Sequence, residues 1–276
     1  MLAGPWMRRQ FLRHADRTLG AVLDELTSDT DLKAVLAAGA LVDLPPNCEA
    51  SGLEASELHF LPVITDPDKI LCVGVNYRPH VIEMGRDLPE KPVLFVRFAG
   101  SVTGHGRPVL RPRVSEQYDF EGELAVIIGR RARHIPRARA LDYVAGYTCF
   151  MDGSVRDWQR HTPQFTPGKN FEQSGSIGPW LVSADEIADV TGITVETRVN
   201  GEVMQQGRIA ELIFDIPYLL EYCSTFAELL PGDVIATGTP GGVGAARQPP
   251  VCLRAGVEAV VDIGGVCQLR KPVDDE

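Results

Sequence analysis

Two glutamates one residue apart, Glu121 and Glu123, stand in Tyr118-Asp119-Phe120-Glu121-Gly122-Glu123-Leu124, where an apolar run to Ile128 begins. Strand side chains alternate, so the two carboxylates point to one face. Like charges side by side repel, and water, a basic partner or a cation relieves the repulsion. A solvated strand edge has the same pattern, but the run that follows anchors this pair in a core. A third acid, Asp152, follows the run Tyr147 to Met151 and precedes Gly153. That position suits a ligand at a strand end, and equally a helix N-cap. Arg156, four residues on, could be an ordinary helix ion-pair partner of Asp152. Together the three acids would make an all-oxygen site, which hard cations such as magnesium, manganese or calcium choose and zinc does not. The six histidines are scattered, with no H-x-x-x-H zinc spacing.

An acid–base pair is legible upstream. In Asn76-Tyr77-Arg78-Pro79-His80-Val81-Ile82-Glu83-Met84-Gly85, Pro79 suits the first turn of a short helix and Gly85 its end. His80 and Glu83 then share one face, and a carboxylate beside an imidazole orients the ring and stabilises its charged form. Such a pair can take a proton near neutral pH; a surface ion pair has the same spacing. The loop Thr237-Gly238-Thr239-Pro240-Gly241-Gly242-Val243-Gly244 is neither a P-loop nor a dinucleotide fingerprint, since no Gly-Lys-Ser/Thr and no helix follow it. It reads either as a tight turn or as a loop whose backbone N–H groups and Thr239 hydroxyl meet a carboxylate. Lys169, in Gly168-Lys169-Asn170-Phe171, offers a cation, or is only a surface charge.

The elements that must position these groups are mostly strands. Ile70 to Val75, Val93 to Phe98 and Leu124 to Ile128 read as buried strands. Ile193 to Val199, Asn200-Gly201 and Glu202 to Gln205 form the clearest hairpin, because Asn-Gly fits the two positive φ angles of a type I′ turn. Val257 to Ile263 and Val266 to Leu269, joined by Gly264-Gly265, read as a closing hairpin. Ala210 to Phe226 is the clearest helix, with Pro217 marking a start or kink inside it. Before Pro67, Thr18 to Leu26 and Asp31 to Ala38 read as short helices of a small N-terminal unit, residues 1–66. Residues 67–276 follow as the larger domain. The pattern lacks a βαβ rhythm and predicts an α+β chain, mainly β and mainly antiparallel, as a barrel or sandwich.

Composition narrows the function classes. The chain has 276 residues, 44% hydrophobic and 23% charged, and a net charge of −10. An acidic chain has no general attraction for phosphate backbones, and Arg130-Arg131-Ala132-Arg133 is too short to reverse that, so nucleic acid is not an expected partner. No apolar run approaches the roughly 20 residues that span a bilayer, and no membrane partner is expected. Met7-Arg8-Arg9 has no apolar core behind it, and the acids Asp16, Glu25 and Asp29 follow, which predicts a cytoplasmic protein. None of the six cysteines forms a C-x-x-C pair, so they read as free thiols in a reducing compartment.

Read together, these segments resemble the fumarylacetoacetate hydrolase family over about residues 68–270. The matching pieces are Gly74-Val75-Asn76-Tyr77 with His80 and Glu83, Asp119 to Leu124, and Asp152 with Arg156-Asp157-Trp158-Gln159. Gly168-Lys169, Gly178-Pro179-Trp180 and Thr237 to Gly244 complete the order. The resemblance implies a mixed β-roll or barrel, a homodimer, and Mg2+ or Mn2+ on Glu121, Glu123 and Asp152. It implies that His80 and Glu83 belong to a segment ordering over the substrate, and that Lys169, Gln159, Thr239 and Arg156 contact substrate or intermediate. The expected activity is hydrolytic C–C cleavage of a β-diketo acid, such as an acylpyruvate or fumarylpyruvate. His80 would activate water, and Lys169 and Gln159 would offset negative charge. The same residues would also serve decarboxylation of oxaloacetate-type acids or isomerisation of hydroxymuconate-like acids. A binding protein without catalysis is the rival from another class. The chain departs from the family pattern at Phe171-Glu172, and Gln173 to Pro179 form a different rim, which bears on specificity.

Overall fold

The computed structural model of the protein describes residues 32–37 and 59–276. The expected helix over Thr18 to Leu26 lies outside the described residues. That over Asp31 to Ala38 is present as α1 (Leu32–Ala37).

Two strands buried at every position carry the site: β6 (Gly122–Ile128) and β7 (Val144–Met151). Their unbroken apolar runs require cover on both faces. They pair antiparallel, Gly122 opposite Met151 and Leu124 opposite Cys149. Around them the larger sheet adds, in chain order, β1 (Ile70–Gly74), β2 (Val93–Arg97), β3 (Val102–Thr103), β9 (Gly175–Ser183) and β12 (Val234–Ala236). Its spatial order is β2-β1-β12-β6-β7-β9-β3. A second sheet contains β4 (Val109–Arg111), β10 (Thr194–Val199), β11 (Glu202–Arg208), β13 (Glu258–Ile263) and β14 (Cys267–Asp275), ordered β11-β10-β13-β14-β4. The short pair β5 (Tyr118–Asp119) and β8 (Ser154–Val155) closes the site's edge. Pairing is antiparallel except at β1–β12, β3–β9 and β4–β14. The fold is therefore α+β and mainly β, as the sequence predicts.

Alternation along β6 divides the core. Leu124, Val126 and Ile128 face the second sheet and share one cluster with Val195, Val261 and Leu269. Ala125 and Ile127 face the other way, packing with Phe60, Val63, Ile64 and the Leu32, Val35 and Leu36 face of α1. The sheets approach closely at Gly122, where a Cβ would lie 2.1 Å from the Thr197 hydroxyl.

The Asn200-Gly201 hairpin forms as expected, with φ of 49° and 84° and Val199 opposite Glu202. The closing hairpin differs. Ile263 pairs with Cys267, so the loop is Gly264, Gly265 and Val266, and β14 continues six residues beyond Leu269. Lys271 hides this continuation in the sequence: it occupies an inward, fully buried position between Leu269 and Val273. The helix expected from Ala210 begins later, as α5 (Ile216–Phe226). Pro217 sits in its first turn, where the missing N–H costs nothing, and the Asp215 carboxylate accepts from Tyr218 N–H. Cys72, Cys149, Cys223 and Cys267 are buried free thiols, and Cys252 is a half-buried one.

Candidate metal and acid–base centre

Strand register builds the carboxylate cluster. Asp152 leaves the end of β7 with its N–H donating to Glu121 C=O at 2.8 Å, so the residues flanking β6 and β7 meet at one corner. Glu121, Glu123 and Asp152 are all buried, and each offers an oxygen within 4.8 Å of the others. Cations from three directions surround them. Lys169, at the end of α4 (Thr166–Lys169), places Nζ 2.7 Å from Glu121 Oε2 and 2.5 Å from Asp152 Oδ2. Arg97 Nη1 donates to Asp152 Oδ1 at 2.6 Å. Arg156, opening α3 (Arg156–Gln159), reaches Glu121 Oε1 at 2.6 Å and Asp119 Oδ2 at 2.8 Å. Because α3 starts at Arg156, Asp152 caps no helix and forms no i,i+4 pair with it; Arg97 takes that place. Lys169 is no surface charge either, being fully buried.

The charges do not cancel evenly. Burial opposes ionisation of Glu121, but Lys169 and Arg156 outweigh it and hold its carboxyl well below the usual range. Burial, then Asp152 and Glu121, push Glu123 the other way, well above it. Among the described residues Glu123 has no ion pair, and its recorded hydrogen bond is from Gly238 N–H at 2.8 Å. An oxygen-only donor set with one carboxylate lacking a cation fits a hard divalent ion.

The glycine-rich loop does meet carboxylates, and they are the protein's own. Besides Gly238, Gly242 N–H donates to Glu83 Oε2 at 2.7 Å, and Gly244 and Ala245 N–H both donate to Asp119. Thr239 Oγ1 donates to Gly122 C=O and accepts from Gln205 Nε2, tying the loop to β6. Glycine is required at Gly242, where φ is +106° and a Cβ would lie 2.1 Å from Met204 O.

Opposite the cluster lies α2 (Arg78–Glu83), with Pro79 in its first turn as expected. His80 Nδ1 is 2.7 Å from Glu83 Oε1, which leaves Nε2 as the ring nitrogen available to the cleft. His80, Glu121, Glu123, Gln159, Lys169 and Thr239 all line one cleft. Asp152 lies beneath them and Glu83 behind His80. Gln159 Oε1 accepts from Arg156, so its amide NH2 is left for the cleft. Thus the nine residues singled out in the sequence converge on one place.

The sequence reading left out Arg97, Asp119 and Gln205 as positioning groups. Each had a signal: Arg97 is a basic residue ending an apolar strand, Asp119 precedes the E-x-E, and Gln205 is inward in an alternating hairpin strand. Their partners lie 55, 37 and 34 residues away in the chain, and only the fold pairs them.

A mixed β-roll with an oxygen-only carboxylate triad facing a His–Glu pair defines a class of enzyme. Residues 69–274 match the family model described as fumarylacetoacetate (FAA) hydrolase C-terminal, and the chain belongs to this family of enzymes. It is 43% identical over 213 residues to the oxaloacetate tautomerase FAHD2A, mitochondrial, of Homo sapiens, covering 76% of this chain and 68% of that protein. Among solved structures it is similar to a fumarylacetoacetate hydrolase from Exiguobacterium antarcticum (TM-score 0.79, 34% identity, 91% and 90% of the chains). It is also similar to a fumarylpyruvate hydrolase from Pseudomonas aeruginosa in complex with Mn2+ and pyruvate (TM-score 0.69, 32% identity, 76% and 91%). Among the described residues, no helix is long and apolar enough to cross a membrane.

Proposed function

We propose that the protein is a Mg2+- or Mn2+-dependent tautomerase of oxaloacetate-type 2-oxo acids. The observation that carries this reading is the single imidazole, His80, held by Glu83 over a buried carboxylate triad. Similarity to a named oxaloacetate tautomerase supports this reaction. Glu121, Glu123 and Asp152 would hold the divalent ion, which would supply Lewis-acid polarisation of a 2-oxo group.

The chain's own residues do the rest. Tautomerisation moves one proton between the enol oxygen and C3 and breaks no carbon–carbon bond. Glu83, bonded at Nδ1, fixes the ring so that Nε2 exchanges that proton at C3. Gly242 N–H in turn fixes Glu83. The Gln159 amide donates to the substrate's oxygens, and the buried ammonium of Lys169, held between Glu121 and Asp152, offsets negative charge that develops beside it.

The hydrolytic C–C cleavage expected from the sequence is the second reading, supported by the similarity to a fumarylpyruvate hydrolase. There His80 Nε2 would take its proton from the attacking water. One panel separates them: enol-to-keto conversion of oxaloacetate, pyruvate release from acylpyruvates and fumarylpyruvate, and carbon dioxide release from oxaloacetate, each with metal and with chelator. Metal-dependent enol conversion without pyruvate or carbon dioxide release supports the tautomerase; pyruvate release from a diketo acid at a higher kcat/KM overturns it in favour of the hydrolase.

The homodimer implied by the family resemblance belongs to the same proposal, and sedimentation equilibrium would find twice the 30.1 kDa chain. So does the cytoplasmic location, although the human relative is named as mitochondrial.

A further inference from the structure

Three cationic side chains line the cleft: Arg86, Arg156 and Lys169. Two are already matched, Arg156 by Asp119 and Glu121, and Lys169 by Glu121 and Asp152. Arg86 alone of the three makes no ion pair among the described residues. It is exposed, and its guanidinium stacks over the Phe165 ring at 5.2 Å from the centroid. Phe165 packs edge-on against Phe95, over which Lys169 Nζ sits at 5.0 Å. The two rings form an apolar wall with one cation at each end, Lys169 on the carboxylate cluster and Arg86 at the mouth.

The backbone aims Arg86 there deliberately. After α2 the chain closes in a Schellman turn: Gly85 N–H donates to Ile82 C=O, Arg86 N–H donates to Val81 C=O, and Gly85 has φ of +63°. Arg86 therefore rides on the same short segment as His80 and Glu83. A guanidinium without an ion pair at the mouth of a cleft whose other cations are already matched has one natural ligand, a planar carboxylate on the far end of the bound molecule.

We propose that Arg86 is a specificity-determining residue that binds the distal carboxylate of a dicarboxylic 2-oxo acid. The inference rests on the reading that the 2-oxo acid end lies at Glu121, Glu123 and Asp152. The aromatic wall of Phe95 and Phe165 receives the carbon chain between the two ends. Engagement of the tail by Arg86 also draws the His80–Glu83 segment onto the substrate, so that an acid without the second carboxylate is bound with its base less well placed.

The test compares oxaloacetate with its 4-methyl ester, which keeps the 2-oxo acid end and the enol chemistry but loses the distal charge. Enol conversion of both is measured for the wild type, Arg86→Ala and Arg86→Lys with Mn2+, and calorimetry measures binding of both to the Mn2+-loaded proteins. The wild type should prefer the diacid, and Arg86→Ala should lower that preference about tenfold to a hundredfold in kcat/KM and in affinity. Arg86→Lys should restore part of it. An unchanged preference in Arg86→Ala overturns the assignment. If the wild type converts neither compound, the tautomerase reading falls, and the calorimetric preference still decides the role of Arg86. A preference lost there supports it, and one kept refutes it.

Discussion

Neutralising Glu121 and neutralising Glu123 should change stability in opposite directions, although both substitutions remove a candidate metal ligand. Glu123 lies within 4.8 Å of the oxygens of Glu121 and Asp152. At an effective dielectric of about 20, unit charges at that separation repel by about 3 kcal/mol. Two such repulsions act on Glu123. Burial and these two repulsions, set against the more distant attraction of Lys169 and one hydrogen bond from Gly238, disfavour the charged form, so near neutral pH folding must protonate Glu123, at a cost on the order of 2 kcal/mol at about 1.4 kcal/mol per pH unit above the ordinary carboxyl range. Glu123→Gln keeps an acceptor for Gly238 and removes the charge. In chelator it should therefore unfold at a temperature roughly 4–8 °C above the wild type, at about 2–4 °C per kcal/mol for a chain of roughly this size. Glu121→Gln removes one of the two carboxylate partners of Lys169 and one of the two of Arg156, leaving two buried cations short of counter-charge, and should cost about 3 kcal/mol or more. Excess Mg2+ or Mn2+, at about 100 times the dissociation constant, should stabilise the wild type by about 2.7 kcal/mol, and neither variant should show that gain. The assay is calorimetric unfolding of the three proteins, with chelator and with metal. A Glu123→Gln protein that is less stable than the wild type in chelator, or that keeps the full metal shift, would refute the charge balance drawn here.

Three further outcomes follow from other parts of the structure. Gly242→Ala drives a Cβ to within 2.1 Å of Met204 O and moves the N–H that holds Glu83; turnover should fall at least tenfold while Mn2+ binding, read by electron paramagnetic resonance, persists. Asp119→Asn removes the charge that pairs with buried Arg156 and keeps at most part of the acceptor capacity used by Gly244 and Ala245. A shift of the urea midpoint equivalent to about 3 kcal/mol is expected. Burial, with the Arg107 charge adding to it, pulls Lys271 down from 10.5 to about 7. Between those two pH values the unfolded chain holds a proton that the folded chain has released. Wild-type stability relative to Lys271→Met should therefore rise with pH across that window, by up to about 1.4 kcal/mol per pH unit. Urea unfolding of both proteins from pH 6 to about pH 10 measures the difference, and a difference that stays level would contradict a buried amine that donates to Gly104 C=O but has no counter-charge among the described residues.

The parts of this site that were legible in the sequence are those whose partners are local. His80 and Glu83 are three residues apart and Pro79 and Gly85 bracket their helix, so spacing alone predicts their contact. Glu121 and Glu123 point to one site as alternation predicts, although Glu121 stands just ahead of β6 rather than within it. The Asn200-Gly201 turn is dictated by two positive φ angles. What spacing could not supply were the long-range pairings. Asp152 and Arg156 are four residues apart and look like a helix pair, yet the chain is not helical between them, and Arg97 from a different strand takes the carboxylate. The glycine-rich loop reads either as a tight turn or as a loop that meets a carboxylate; that it meets Glu83, Asp119 and Glu123 of the same chain follows from β12 lying beside β6, which no local pattern records. The length of β14 was hidden by Lys271, because a lysine at an inward position breaks the apolar alternation on which strand reading depends. The joint order of the motifs did better than any of them alone, since it fixed which distant segments must meet.

The most direct test of the account is the His80→Ala variant, assayed beside the wild type for Mn2+ binding and for enol conversion of oxaloacetate. The account predicts one Mn2+ bound per chain in both proteins, and a fall of roughly a hundredfold or more in the variant's turnover, the range general acid–base catalysis contributes. A variant that binds Mn2+ and converts the enol at the wild-type rate would contradict it, because the imidazole held by Glu83 would then move no proton.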